Sequence, residues 1–108
     1  MNCPPKLQEC LKIVYGLSKA EAQVLYYICK NDSKITKISN DLQKDRSTIQ
    51  RYVKKLCDLE LVQREEKTGS TPGRHYKYLV KDKDVLKKNI LKKLEEWKTK
   101  REAELQKL

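Results

Sequence analysis

The segment from residue 46 to residue 59 combines side chains that can bond to nucleic-acid bases with an apolar side that can anchor a helix. The polar set is Ser47, Thr48, Gln50, Arg51 and Lys54, and the apolar set is Ile49, Val53, Leu56 and Cys57. At 3.6 residues per turn the two sets fall on opposite sides of a helix. The amide of Gln50 can bond bidentately to adenine, and the guanidinium of Arg51 can bond to guanine.

The charge of the chain supports a polyanionic partner. Its 108 residues contain 25 Lys and Arg against 15 Asp and Glu, which gives a net charge of +10 and a pI near 9.5. Residues 33–80 contain eleven basic and six acidic residues, which gives this segment a net charge of +5. Nucleic acid is the first candidate and anionic lipid the second, with simple solubility as the plain alternative.

Other chemistries find little support in the sequence. One histidine, His75, and four cysteines, Cys3, Cys10, Cys29 and Cys57, lack metal-ligand spacing, so we predict no metal and no cofactor. Three of these thiols occupy apolar helical positions, which favours packing over a disulfide or a metal. The sequence contains no nucleophile motif, no phosphate-binding glycine loop and no carboxylate pair with a base partner, so we do not predict an enzyme. The longest apolar run, residues 24–29, is too short to span a membrane, so we expect no membrane partner and a cytoplasmic protein.

The pattern of apolar residues predicts four helices before residue 60. The first covers residues 5–15 and ends at Gly16, and the second begins at Ser18, with Glu21 completing a capping box. After a short extended piece at 33–35, the third helix covers 36–42 with Thr36 as its N-cap. Asp45 can cap the fourth, which runs from about residue 46 to 59.

A β-hairpin and a long helix complete the chain. Residues 61–66 and 74–80 read as strands around a turn-rich tip at 68–73. Tyr76 and Tyr78 suit a strand with one packed face better than a base-stacking surface. The last helix, capped by Asp82 or Asp84, carries a long apolar stripe interrupted by Arg101: Leu86, Ile90, Leu94, Trp97, Leu105 and Leu108.

Such a stripe is too long for one small domain to cover, so we predict a homodimer formed through Leu86, Ile90, Leu94, Trp97 and Leu105. The alternative is that the helix folds back on its own domain. The predicted fold is mainly α (α+β), with a winged helix-turn-helix domain at 1–81 and a dimerisation helix at 82–108. The helix-turn-helix occupies about 35–59 and the wing about 61–80.

Residues 16–80, about 60% of the chain, resemble the archaeal and bacterial winged-helix regulators grouped as MarR-like and TrmB-like. The matching pieces are Gly16-Leu17-Ser18-Lys19-Ala20-Glu21-Ala22, Ile35-Thr36-Lys37-Ile38-Ser39-Asn40-Asp41-Leu42, Asp45 to Leu56, Leu61-Val62 and the wing ending in Arg74-His75-Tyr76. The resemblance implies a transcriptional regulator whose recognition helix enters the major groove of double-stranded DNA. Base contacts would then come from Ser47, Thr48, Gln50, Arg51 and Lys54, and backbone or wing contacts from Lys37, Arg46, Lys55, Lys67 and Arg74.

Two residues depart from the family pattern. Gln43 and Glu60 stand where these regulators often have glycine, which leaves the geometry of both turns open. The sequence also leaves too few residues for the sugar-sensing domain of full-length TrmB-like proteins, so the effector specificity of that family is not carried over and the small-molecule effector is unknown. The competing interpretation is a winged-helix module that binds RNA or another protein in a transcription or processing assembly.

Overall fold

The computed structural model of the protein describes residues 2–67 and 75–108. Four helices come first: α1 (Pro5–Tyr15), α2 (Lys19–Lys30), α3 (Ile35–Leu42) and α4 (Arg46–Asp58). The antiparallel strands β1 (Gln63–Lys67) and β2 (His75–Leu79) follow, and α5 (Lys83–Leu105) ends the described fold. This order confirms the predicted mainly α winged helix with a two-stranded wing and a long C-terminal helix.

Three helix starts and one helix end follow from local chemistry. Pro5 begins α1, where a missing N–H costs nothing, and Gly16 ends it in the left-handed region at φ 68°. The predicted capping box of α2 is present, because Ser18 Oγ accepts from Glu21 N–H and Glu21 Oε1 accepts from Ser18 N–H. The Asp82 carboxylate caps α5 by accepting from the N–H groups of Asp84 and Val85.

Two predicted caps are wrong. The third helix begins one residue earlier than expected, so Lys34 rather than Thr36 occupies its N-cap position. Asp45 stands at the N-cap position of α4, but its side chain accepts no capping hydrogen bond. The extended piece between α2 and α3 is also shorter than predicted. It is limited to Ser33, whose backbone exchanges two hydrogen bonds of 3.0 and 2.9 Å with Tyr78 on β2.

Both tight turns around α4 use a non-glycine residue in the left-handed region. Gln43 has φ 54° after α3, and Glu60 has φ 62° after α4. These are the two positions where the sequence departs from the glycine of the family pattern. The turns therefore keep the left-handed backbone that glycine would adopt, at a modest conformational cost.

The hydrophobic core lies between α2, α3, α4 and the base of the wing. Its fully buried side chains come from each of these elements: Val24, Leu25, Ile28, Ile38, Ile49, Val53, Leu56, Leu61 and Val62. Leu11 and Leu17 add α1 to the same core. Burial on this scale fixes α4 on its apolar side, so its opposite side is left at the surface.

The final helix extends beyond the domain. Its first half packs against α1, where Leu86 and Ile90 are partly buried against the core. Its second half projects, and the molecule measures 62 × 25 × 20 Å along its principal axes. The first half of the helix therefore folds back on its own domain, as the alternative interpretation expects. In the part of the chain that the structure describes, the second half is largely exposed, and the homodimer stays a prediction.

Candidate nucleic-acid interface

The outer side of α4 is exposed as the sequence predicts. Ile49, Val53 and Leu56 are buried, whereas the polar residues of the same helix face solvent: Arg46, Ser47, Gln50, Arg51 and Lys54. Thr48 is half-buried. The side chains proposed for base contacts thus form one row on the first three turns of the helix.

This row continues into a shallow groove shared by three elements. The groove has a volume of about 180 Å³ and lies between the start of α3, the start of α4 and β2. Its lining residues are Lys34, Ile35, Thr36, Arg46, Gln50, Tyr76 and Tyr78. Lys34 and Tyr76 were not among the predicted contacts. The pairing of Ser33 with Tyr78, 45 residues away, brings them here, and no local pattern in the sequence announces that pairing.

A second recess extends this surface around the start of α3. Lys34, Lys37 and Lys77 all line it. Two of these lysines are paired: Lys77 Nζ lies 3.3 Å from Asp32 Oδ2, and Lys37 Nζ lies 3.4 Å from Asp41 Oδ2. Such exposed pairs are weak, so both ammonium groups remain able to exchange their carboxylate for a phosphate.

Asp41 joins this recess to the core. The buried Tyr27 donates a short hydrogen bond from its hydroxyl to Asp41 Oδ2. That bond, assisted by Lys37, holds the pKa of the Asp41 carboxyl below its usual value. The contact links α2 to α3 and fixes the carboxylate against which Lys37 is placed.

Lys55 lies on a different side of α4 from the exposed row. Its Nζ is 3.0 Å from Glu21 Oε1 and 3.3 Å from the Gly16 carbonyl oxygen. The Glu21 side chain is only 12% exposed, whereas that of Lys55 is 40% exposed, so the carboxylate is the shielded partner of the pair. Lys55 is therefore committed to the body of the domain, which weighs against its predicted role as a backbone contact. Lys54 forms only an exposed pair with Asp58, at 3.4 Å.

The described part of the wing carries one further cationic group. The Arg64 guanidinium stacks over the Tyr76 ring, 4.2 Å from its centroid. Lys67 ends β1, in register with His75 at the start of β2. Arg74, a predicted wing contact, lies outside the described residues.

The thiols and the ligand-type residues form no reactive centre in the part of the chain that the structure describes. Burial raises the pKa of the Cys3, Cys29 and Cys57 thiols, which disfavours the reactive thiolate. All four cysteines are free, and no cluster of three or more His, Cys, Asp or Glu side chains in residues 2–67 and 75–108 could hold a metal ion.

Comparison with known proteins identifies the family of this chain. Residues 11–84 match the model of the family described as sugar-specific transcriptional regulator TrmB. The chain belongs to the TrmB family. The matched segment runs from the second half of α1 through α4 and both strands of the wing, so the family relationship covers the candidate interface.

Two relatives illustrate the similarity. The uncharacterised protein MJ1503 of Methanocaldococcus jannaschii is 36% identical over 85 residues, covering 78% of this chain and 64% of that protein. The chain thus matches somewhat less than two thirds of the length of this relative. The structure of a possible transcriptional regulator from Methanosarcina mazei Go1 superposes with a TM-score of 0.79 at 28% identity, over 94% of this chain and 88% of that one.

These findings place the chain in a family described as transcriptional regulators and confirm the resemblance predicted from the sequence. None of the helices described here is long and apolar enough to cross a membrane.

Proposed function

We propose that the protein is a homodimeric, sequence-specific double-stranded DNA-binding regulator. In this proposal α4 enters the major groove, and the wing lies on the adjacent backbone or minor groove. Ser47, Thr48, Gln50, Arg51 and Lys54 contact base edges. Gln50 and Arg51 dominate the discrimination, because each can form two hydrogen bonds with one base.

The observation that carries the proposal is the division of α4 into a buried apolar side and an exposed polar side. Gln50 and Arg51 are exposed, whereas Ile49, the residue immediately before them, is fully buried. A helix anchored in this way presents its polar row rigidly, so base contacts need little reordering on binding. The row also carries three cations, Arg46, Arg51 and Lys54, which suit the approach to phosphates.

The surface next to α4 supports the backbone contacts. Arg46 and Lys37 keep their proposed roles, and the groove adds Lys34 and Tyr76 beside Gln50. Lys67 and Arg74 remain proposed wing contacts on the strength of the family resemblance. Each phosphate that such a cation neutralises releases counterions, so affinity is expected to fall steeply with salt.

The homodimer is supported by the apolar groups on the projecting part of α5. Trp97 is 38% exposed and Leu105 64% exposed. A two-fold dimer would place two α4 helices on one face of the duplex, and its target would be a palindrome with half-sites about one helical turn apart.

Selection of bound duplexes from a random pool, followed by titration of affinity against salt, tests this function. A palindromic consensus and a steep negative dependence of log K on log salt are expected. Preferential binding of structured RNA in competition would instead favour the RNA-binding alternative. Absence of duplex binding in dilute buffer would favour a protein-interaction module and reject the proposal.

A further inference from the structure

The stripe along α5 has a symmetric spacing. Its members are Leu86, Ile90, Leu94, Trp97, Arg101 and Leu105, separated by 4, 4, 3, 4 and 4 residues. The series reads the same in both directions about a point between Glu95 and Glu96. At 3.6 residues per turn the six side chains lie within an arc of about 100° on one side of the helix.

The two halves of this stripe differ in cover. Leu86 and Ile90 are partly buried against the chain's own core, and Leu94 is half-buried. Trp97 and Leu105 are exposed, and the Arg101 guanidinium stacks on the Trp97 ring at 5.5 Å from its centroid. The covered half therefore ends where the exposed half begins, near the centre of symmetry.

An apolar groove lies beside the covered half. Its volume is about 230 Å³, and it is formed by α1, α2 and α5, with Leu7, Leu25 and Ile90 among its lining residues. Three lysines also line it: Lys30, Lys83 and Lys87. No carboxylate is among its lining residues in the described chain, so the groove favours an occupant that is apolar and acidic.

The two halves of α5 are complementary in charge. Residues 83–93 contain five lysines and one aspartate, a net charge of +4. Residues 95–105 contain four glutamates and three basic residues, which gives a net charge of −1. Glu102 and Glu104 now pair with Lys98 and Lys107 on their own helix at 3.8 and 3.2 Å, in exposed ion pairs that contribute little.

We propose that α5 pairs in antiparallel orientation with α5 of a second copy, about a two-fold axis between Glu95 and Glu96. This inference rests on the homodimer of the proposed function and specifies its interface. The symmetric spacing then sets Leu86 opposite Leu105 of the partner subunit, and Leu94 opposite the partner's Trp97. Ile90 meets the partner's Arg101, whose aliphatic stem can cover it while the guanidinium remains at the edge.

The same arrangement brings the acidic half of each helix over the lysine-rimmed groove of the other copy. Parallel pairing would set Lys83 and Lys87 beside their own copies and leave the groove uncovered, with like charges opposed. Glu95 and Glu96 lie next to the axis, but each is about 130° from the centre of the stripe, so both point away from the partner in the antiparallel pair.

Charge exchange between the two halves tests the orientation. One variant carries Glu104→Lys, a second carries Lys87→Glu, which the proposed register places opposite it, and a third combines both changes. We expect sedimentation equilibrium to show dimer dissociation constants raised about tenfold or more in each of the first two and restored to within about threefold in the third. Glu95→Lys is the matched control, with the same charge reversal outside the interface, and should change the constant little.

Two outcomes would overturn the inference. If the combined variant stays as weak as the two parents together, the acidic and basic halves do not face each other and the orientation is wrong. If the wild-type protein sediments as a monomer at concentrations well above those used for DNA binding, there is no such interface. Neither result removes base contacts by α4, because those are read from the selected DNA sequence.

Discussion

The ammonium of Lys55 lies 3.0 Å from Glu21 Oε1 and joins the last turn of α4 to the first turn of α2. Glu21 is also the acceptor of the α2 capping box, and Lys55 reaches the Gly16 carbonyl oxygen in the turn before it. One ion pair thus links α4, the N-terminus of α2 and the turn after α1. Its effect is to orient α4 from the side that faces the domain.

Replacement of Lys55 by Met should lower the free energy of unfolding by about 1 kcal/mol, because Glu21 loses its partner in a largely shielded position. The matched control is Lys54→Met, one residue earlier in an exposed pair with Asp58, for which we expect little loss of stability. DNA affinity should show the opposite order, with Lys54→Met weakening DNA binding more than Lys55→Met. A Lys55 variant of normal stability with greatly weakened DNA binding would reassign Lys55 to the phosphate contacts.

The Glu21 carboxyl should make stability depend on acid pH. Burial alone would raise its pKa, but hydrogen bonds from Ser18 and Lys55 and the Lys55 charge outweigh burial and hold the pKa below its ordinary value of 4.5. A carboxyl whose pKa is lowered by folding stabilises the folded state at pH values above its ordinary pKa. This stabilisation is lost as the pH falls through the folded-state pKa.

Chemical denaturation of wild type and Glu21→Gln across pH 2.5 to 7, a range of about two units on either side of the ordinary value, checks this linkage. Glutamine keeps an oxygen for the capping bond while removing the charge. The stability advantage of wild type should be constant above about pH 5 and shrink below pH 4.5. An advantage that does not change with pH would contradict a Glu21 pKa lowered by folding.

Glycine at the two left-handed turns should stabilise the protein. Gln43→Gly and Glu60→Gly relieve φ angles of 54° and 62°, and each is expected to raise the free energy of unfolding by about 0.5–1 kcal/mol. Asn40→Gly, on the exposed side of α3, is the control and should cost a similar amount, because glycine weakens a helix interior. Thermal unfolding that shows destabilisation by all three would argue against left-handed backbone at the turns.

Lys34 should act as a phosphate contact that reads no sequence. We expect Lys34→Ala to weaken binding to all duplexes about equally and to reduce the slope of log K against log salt by about 1. Lys12→Ala, at an exposed position of α1 that lines neither the apolar groove beside α5 nor the groove beside Gln50, is the comparison and should leave the slope unchanged. An unaltered slope for Lys34→Ala would remove this lysine from the interface.

The elements were readable from the sequence because each has a strong local signal. Apolar spacing placed α4 to within one residue, and the Ser18–Glu21 pair marked the start of α2. The sequence also placed Gln50 and Arg51 on the exposed side of α4, since burial of Ile49 and Val53 determines which side remains.

Contacts over long sequence separations were not readable in this way. Lys55 is one residue from Lys54 and has the same side-chain chemistry, yet only the approach of Glu21, 34 residues earlier, separates their environments. Lys34 and Tyr76 meet because Ser33 pairs with Tyr78, a contact made by backbone groups that every residue carries. The cap at Lys34 likewise follows from this pairing, since it fixes the chain just before α3.

The central claim is that the exposed row of α4 reads bases while the rest of the surface supplies general affinity. The most direct measurement compares the affinity of wild type and Gln50→Ala/Arg51→Ala for the selected duplex and for a scrambled duplex at one salt concentration. We expect the variant to lose the preference for the selected duplex and to retain weak binding to both, because each bidentate contact discriminates by about 1–3 kcal/mol. An unchanged ratio of the two affinities would contradict it.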